Sequence, residues 1–130
     1  MLYNNLFSLK SIILLLHLFI YTALSAQSIA VVDLSNDGYA KVFDEKNNKI
    51  ASGYIGSSSD HFDYSNCIIV SRSTDGYVKV FDPKLNKIAS GYAGNKQDIL
   101  KVTSCNIIFK SADGYKTVYD KNLNKISSGY

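Results

Sequence analysis

The 130-residue chain has no tryptophan, one proline (Pro83) and one methionine, and only two cysteines and two histidines. His17 falls within an N-terminal apolar run, so His61 is the single histidine after residue 26. That scarcity excludes a Cys/His set at zinc spacing. A Ser/His/Asp arrangement, a phosphate-cradling glycine loop and a Walker sequence are missing as well. Helical periodicity is absent beyond the N-terminal segment. Neither sign of charge dominates. Lys10 is the one charged residue among the first 26, and removing it from the 14 basic residues leaves 13 against 11 acidic ones, with the lysines spread along the chain. Nothing in that balance calls for a nucleic acid or an anionic membrane as partner.

Residues 1–26 read as a signal peptide. A polar start ending in Lys10 leads into the apolar run from Ser11 to Tyr21, and then into the small-residue stretch Thr22-Ala23-Leu24-Ser25-Ala26. That is the order of an export signal. The run is shorter than the ~20 residues of a bilayer span and carries His17. No cysteine follows it, so a lipoprotein anchor is not indicated. Cleavage would leave residues 27–130 as a secreted or periplasmic domain of about 104 residues without a membrane anchor.

The strongest signal is self-similarity at an offset of 38 residues. Asp37-Gly38-Tyr39, Asp75-Gly76-Tyr77 and Asp113-Gly114-Tyr115 recur at that offset, and so do Ser52-Gly53-Tyr54, Ser90-Gly91-Tyr92 and Ser128-Gly129-Tyr130. Between them Val42, Val80 and Val118 match, as do Asp44, Asp82 and Asp120, and Asn48, Asn86 and Asn124. The repeats run over 29–66, 67–104 and 105–130, the last incomplete.

The second copy shows how one unit is built. Cys67-Ile68-Ile69-Val70-Ser71 is a β-branched strand ending at Asp75-Gly76, which supplies the positive φ of a tight hairpin. Tyr77–Phe81 forms a second strand, stopped at Asp82-Pro83. Asn86 is expected to be the left-handed residue of the next turn, with Asn48 and Asn124 in the same role. Lys87–Tyr92 makes a third strand, and Ile99–Thr103 a fourth that leads into the next copy. The expected fold is therefore all-β, three tandem four-stranded antiparallel meanders with about eleven strands in total.

In these features, from Val70 through Tyr92 and again in the other copies, the chain resembles a β-propeller blade of the quinoprotein (PQQ-repeat) type. Two departures stand out: asparagine at 48, 86 and 124 where that family usually has glycine, and no tryptophan after the third strand, where Tyr54, Tyr92 and Tyr130 stand instead. The resemblance reaches the blade and no catalytic residue, so it implies no cofactor here. Propellers close with 4 to 8 blades. Three units therefore point to a short member of a longer family, to self-association through an open sheet edge, or to a threefold β-trefoil or β-prism.

Cys67 and Cys105 hold the same place in neighbouring units. Export would permit their oxidation, but equivalent positions in stacked units need not approach within the ~7 Å between Cα atoms that a bridge requires. Buried free thiols are weighed above a disulfide, and both remain open.

Candidate sites compete with structural readings. Asp37, Asp75 and Asp113, with Gly38, Gly76 and Gly114, are read as turn formers. Asp33 through Gly38 resembles the start of an EF-hand loop, but the other copies have Ser71 and Phe109 in place of Asp33, so no metal site is assigned. Asp44, Asp82 and Asp120 are read as acceptors for backbone N–H groups of the following turn. His61, with Ile99 as its counterpart, marks a permissive loop. Tyr39, Tyr77 and Tyr115, and Tyr54, Tyr92 and Tyr130, are read first as filling grooves between units and second as a repeated stacking surface for sugars. The leading functional expectation is an exported, non-enzymatic repeat protein presenting a surface for protein or glycan contact. The alternatives are a degenerate quinoprotein-like remnant and a threefold lectin.

Overall fold

Eleven strands and no helix make up residues 27–130, the part of the chain that the computed structural model describes. The signal peptide expected over residues 1–26 lies outside the described residues. β1 (Val31–Leu34), β2 (Tyr39–Phe43) and β3 (Lys49–Tyr54) form the first sheet. β4 (His61–Tyr64), β5 (Ile69–Arg72), β6 (Tyr77–Phe81) and β7 (Lys87–Tyr92) form the second, and β8 (Ile99–Thr103), β9 (Asn106–Lys110), β10 (Lys116–Tyr119) and β11 (Lys125–Gly129) the third. Every pairing is antiparallel and between chain neighbours. The chain is thus three tandem open meanders.

The division between units differs from the expected one. Ile99–Thr103 is the first strand of the third sheet, not the last of the second, because β8 and β9 are joined by the tight turn at Ser104-Cys105 and pair from Ile99↔Lys110 to Thr103↔Asn106. A two-residue connection forces its flanking strands together. The six residues between β7 and β8 impose no such pairing. The third unit is therefore a full four-stranded sheet, and the first has three strands among the described residues. The positions that would match β4 one repeat earlier are 23–26, outside the described residues.

Alternation along the strands sends successive side chains to opposite faces. In β2, Ala40 and Val42 face the second sheet and pack with Ile29, Ile55, Ile69 and Phe81. In the second sheet, Val70, Val78 and Val80 point the other way and pack with Val102, Ile107 and Phe109 of the third. The middle sheet buries both faces, and each outer sheet buries one. A trefoil or prism would give its three units equivalent burial, so the closed threefold alternatives do not describe this chain.

The Asp-Gly turns close as hairpins: Gly38, Gly76 and Gly114 have φ of 85°, 95° and 93°, and the Gly38 N–H donates to Ser35 O at 3.0 Å. The second turn differs from expectation. Its left-handed residue is Asn47, Leu85 or Leu123 (φ 62°, 62° and 63°), one position before Asn48, Asn86 and Asn124. The turn itself sets that position, because the same pair of backbone bonds, Leu85 N–H to Asp82 O and Asp82 N–H to Asn86 O, recurs in all three units; the Leu85 and Leu123 side chains lie near Gly53 and Gly91 of the preceding sheet.

The asparagine instead serves the aspartate that opens the turn. Asn86 donates its N–H to Asp82 Oδ1 and its Nδ2 to Asp82 Oδ2, both at 2.9 Å, and Lys84 N–H adds a third bond at 2.9 Å. Asp44 and Asp120 accept the same set. Asp82→Ala, which deletes the shared acceptor, is expected to cost about 1–2 kcal/mol, and Asn86→Ala, which removes one of the three bonds, about 0.5–1 kcal/mol. Chemical denaturation of both variants tests that order; an Asn86→Ala loss equal to the Asp82→Ala loss would contradict the shared-acceptor account.

Cys67 and Cys105 are joined in a disulfide, with Cα atoms 5.3 Å apart. Free thiols were the weightier expectation, and the correction is geometric. The strand openings of the second and third sheets converge, as shown by the packing of β4 against β8 and by the Val102 N–H, which donates to Asp63 Oδ2 at 2.7 Å. Ile29 fills the same place in the first unit and is buried. The bridge is compatible with an oxidising extracellular environment.

Candidate functional site

The repeated tyrosines and Asp-Gly turns come together in three equivalent clusters. Tyr39 lies directly across from Tyr54, and Tyr77 from Tyr92. Cross-strand partners share a face, so their rings meet edge to face: centroids are 4.9 Å apart for Tyr39 and Tyr54, and 5.2 Å for Tyr77 with Tyr92 and for Tyr115 with Tyr130. This T-shaped geometry suits the ring quadrupoles. The outer hydroxyls reach the turn carboxylates, Tyr54 to Asp37 Oδ2 at 3.4 Å and Tyr92 and Tyr130 to Asp75 and Asp113 at 3.3 Å. These contacts are long for O–H···O bonds, so the hydroxyls are held lightly.

The other oxygen of each carboxylate is committed to its turn. Asp37 Oδ1 accepts from Ser35 Oγ and, at 3.2 Å, from Tyr39 N–H. Asp75 does the same with Ser73 and Tyr77, and Asp113 with Ser111 and Tyr115. The seryl donor, followed by the backbone donor, holds all three carboxyls below their ordinary pKa. The Asp75 charge in turn raises the Tyr92 phenol above its ordinary value.

The outer tyrosine of each cluster is not packed away between units. Tyr54, Tyr92 and Tyr130 are exposed by 69%, 72% and 87%; Tyr54 and Tyr92 end the outer edge strands β3 and β7, and Tyr130 follows β11. Their inner partners Tyr39 and Tyr77 are half-buried, and Tyr115 is more open. Beside Tyr54, an open groove of about 570 Å3 between the first two sheets is lined by Ser57, Asp60, Ser73, Lys79, Phe81 and Lys87. The position of Lys79 is taken by Thr117 one repeat on.

Other candidates stay apart from these clusters. Asp33 lies opposite Lys41 on the outward face of the first sheet. His61 is exposed on β4. Among the described residues no group of three or more His, Cys, Asp or Glu side chains is arranged to hold a metal ion.

Residues that break the repeat proved as consequential as those that keep it. Buried Arg72, replaced by Leu34 and Lys110 in the other units, donates from Nη1 to Asp98 O at 2.7 Å and lies 5.8 Å above the Phe109 ring. Asp63, with Lys101 as its counterpart, ties β4 to β8. Matching residues between copies passes over both, and the mismatch itself was the available signal.

No protein-family model matches the chain, and no curated protein matches it. Among solved structures it is similar to the computationally designed Ika8 protein, with a TM-score of 0.53 and 20% identity over 81% of this chain and 36% of that one. It is also similar to the computationally designed Ika4 protein, with a TM-score of 0.51 and 22% identity over 81% of this chain and 68% of that one. The chain therefore spans about a third of the length of the first and two thirds of the second. At such identities the likeness is one of fold alone, an all-β chain of repeated antiparallel sheets.

Proposed function

We propose that this chain is an exported, non-enzymatic β-repeat protein whose threefold tyrosine surface makes contact with glycans or proteins. One observation carries the reading: each unit displays an exposed ring, Tyr54, Tyr92 or Tyr130, braced by a second tyrosine and a carboxylate in the same geometry. A tyrosine placed only to pack a core would not leave most of its surface in water. Braced aromatic rings offer large contact area at low conformational cost, and three linked copies add avidity for a repetitive partner. The threefold copying also speaks against a single asymmetric catalytic centre. Export is supported by the order of residues 1–26 together with the disulfide. The meanders fit degenerate blades of the quinoprotein type, on the strength of the Asp-Gly-Tyr hairpin and the Asp-closed second strand.

Glycan-array binding by the oxidised protein, compared with the triple variant Tyr54→Ala/Tyr92→Ala/Tyr130→Ala, tests the glycan arm. Tyrosine-dependent signal is expected, and binding that the triple variant retains in full would remove the tyrosines from the site. An array silent above background discards the lectin form and leaves protein contact. Saturable quinone uptake, or dye reduction with an alcohol or sugar, would overturn the non-enzymatic reading.

A further inference from the structure

Three large aliphatic side chains stand exposed among the described residues: Val31 (49%), Ile99 (59%) and Ile126 (56%). All lie on the two sheet faces that no neighbouring sheet among the described residues covers. Val31 pairs with Phe43 on the outward face of the first sheet. Its counterparts Ile69 and Ile107 are exposed by 1% and 0%, because a preceding sheet lies over them. Ile126, Ile108 and Val118 lie on the outward face of the third sheet, at the positions of Ile88, Val70 and Val80, which pack under a following sheet. Each free face thus has the register of an interface that the chain builds twice internally.

We propose that a second copy of this chain stacks its first sheet on the third sheet of its neighbour, continuing the internal sheet-on-sheet register head to tail. The internal contact supplies a test of fit. Arg72 of the second sheet lies over Phe109 of the third. One repeat further, the place of Arg72 is held by Lys110, and the place of Phe109 is held in the first sheet by Asp33. Continuing the stack sets Lys110 of one copy against Asp33 of the next, a cation against a carboxylate. Sheet edges are poorer candidates than these faces. The outer edge strands β3, β7 and β11 each open with a lysine and pair through a register shift at their start, features that discourage edge-to-edge pairing.

A contact between two different faces is heterologous, and this gives it a signature. Sedimentation of the purified oxidised protein is expected to show concentration-dependent species above one copy. Val31→Glu blocks one face and Ile126→Glu the other; both positions are already exposed, and circular dichroism confirms that each variant folds. Each alone is expected to lose all association, and an equimolar mixture to form a 1:1 dimer through the intact face of each. Asp33→Lys is likewise expected to abolish assembly, and Asp33→Lys/Lys110→Asp to restore it. A parent protein that stays monomeric throughout overturns the proposal, as does association that survives in either single-face variant or fails to return on mixing. Tyr39 and Tyr54 share the outward face of the first sheet with Val31, whereas Tyr92 and Tyr130 lie on neither free face, so glycan or protein binding that depends on Tyr92 and Tyr130 is tested separately from this assembly.

Discussion

Cys67→Ser/Cys105→Ser, or reduction of the parent protein, is expected to lower stability by about 3–4 kcal/mol. The bridge closes a segment of 38 residues, and chain-entropy arithmetic for a loop of that length gives this range. For a domain of this size that corresponds to a fall of roughly 15–25 °C in Tm. The bridge ties the second sheet to the third, whereas the first and second rely on the apolar contacts of Ile29, Ile55, Ile69 and Phe81. Thermal unfolding with and without a reductant is the direct measurement. An unchanged Tm would mean that the unfolded chain gains nothing when the bond is cut, and the bridge would lose its stabilising role.

Phe109→Ala is expected to destabilise by a similar amount, about 3–5 kcal/mol. Phe109 is fully buried between the second and third sheets and packs with Val78 and Ile107. It meets Tyr119 edge to face at 5.7 Å and lies under the Arg72 guanidinium. It also presses on Gly94, where an added Cβ would stand 2.4 Å from the ring at a φ of 64°. Truncation would leave a cavity and remove the surface under a buried cation at once. Urea denaturation measures the loss, and a value below about 1 kcal/mol would show that the site collapses around the deletion.

Acid gives a further expectation with a defined sign. Asp37, Asp75 and Asp113 are held low by their seryl and backbone donors, and Asp44 and Asp120 chiefly by the backbone N–H and side-chain amide of Asn48 and Asn124. A carboxyl whose folded pKa lies below its unfolded value binds its proton more readily in the unfolded chain. Its contribution is therefore present above the ordinary value of 3.8 and is lost as pH falls below it. The urea midpoint is expected to show no loss from these groups between pH 7 and 5 and to fall below pH ~4. A midpoint flat down to pH ~2.5 would refute the contribution of the turn carboxylates.

Much of this fold is legible in the text of the chain. The 38-residue offset, the Asp-Gly turns and the alternation of Tyr77-Val78-Lys79-Val80-Phe81 are local signals, each set by the φ preferences of a few residues or by the two-residue period of a strand. They fix the strands, their antiparallel order and their number. Asparagine tolerates the left-handed conformation and so points to Asn48, Asn86 and Asn124, whereas the left-handed residue of each turn is one position earlier. The place is set by the backbone bonds of the turn, which are the same in the first unit, where Asn47 occupies it, and Leu85 and Leu123 accept it with their side chains near glycines of the preceding sheet. No local preference could have announced that contact.

The sequence by itself determined the repeat, its strands and turns, and the threefold recurrence of tyrosine beside aspartate, since all of these depend on neighbours a few residues away. Tertiary structure alone decided that β8 belongs to the third sheet, that Cys67 reaches Cys105, and that Tyr54, Tyr92 and Tyr130 face water instead of filling a groove. Those outcomes depend on how one sheet lies on the next, where the approaching groups are one repeat apart in the chain and each copy spells them almost alike. Identical text is buried in the middle of the stack and exposed at its ends, because what covers a residue is a property of the neighbouring sheet.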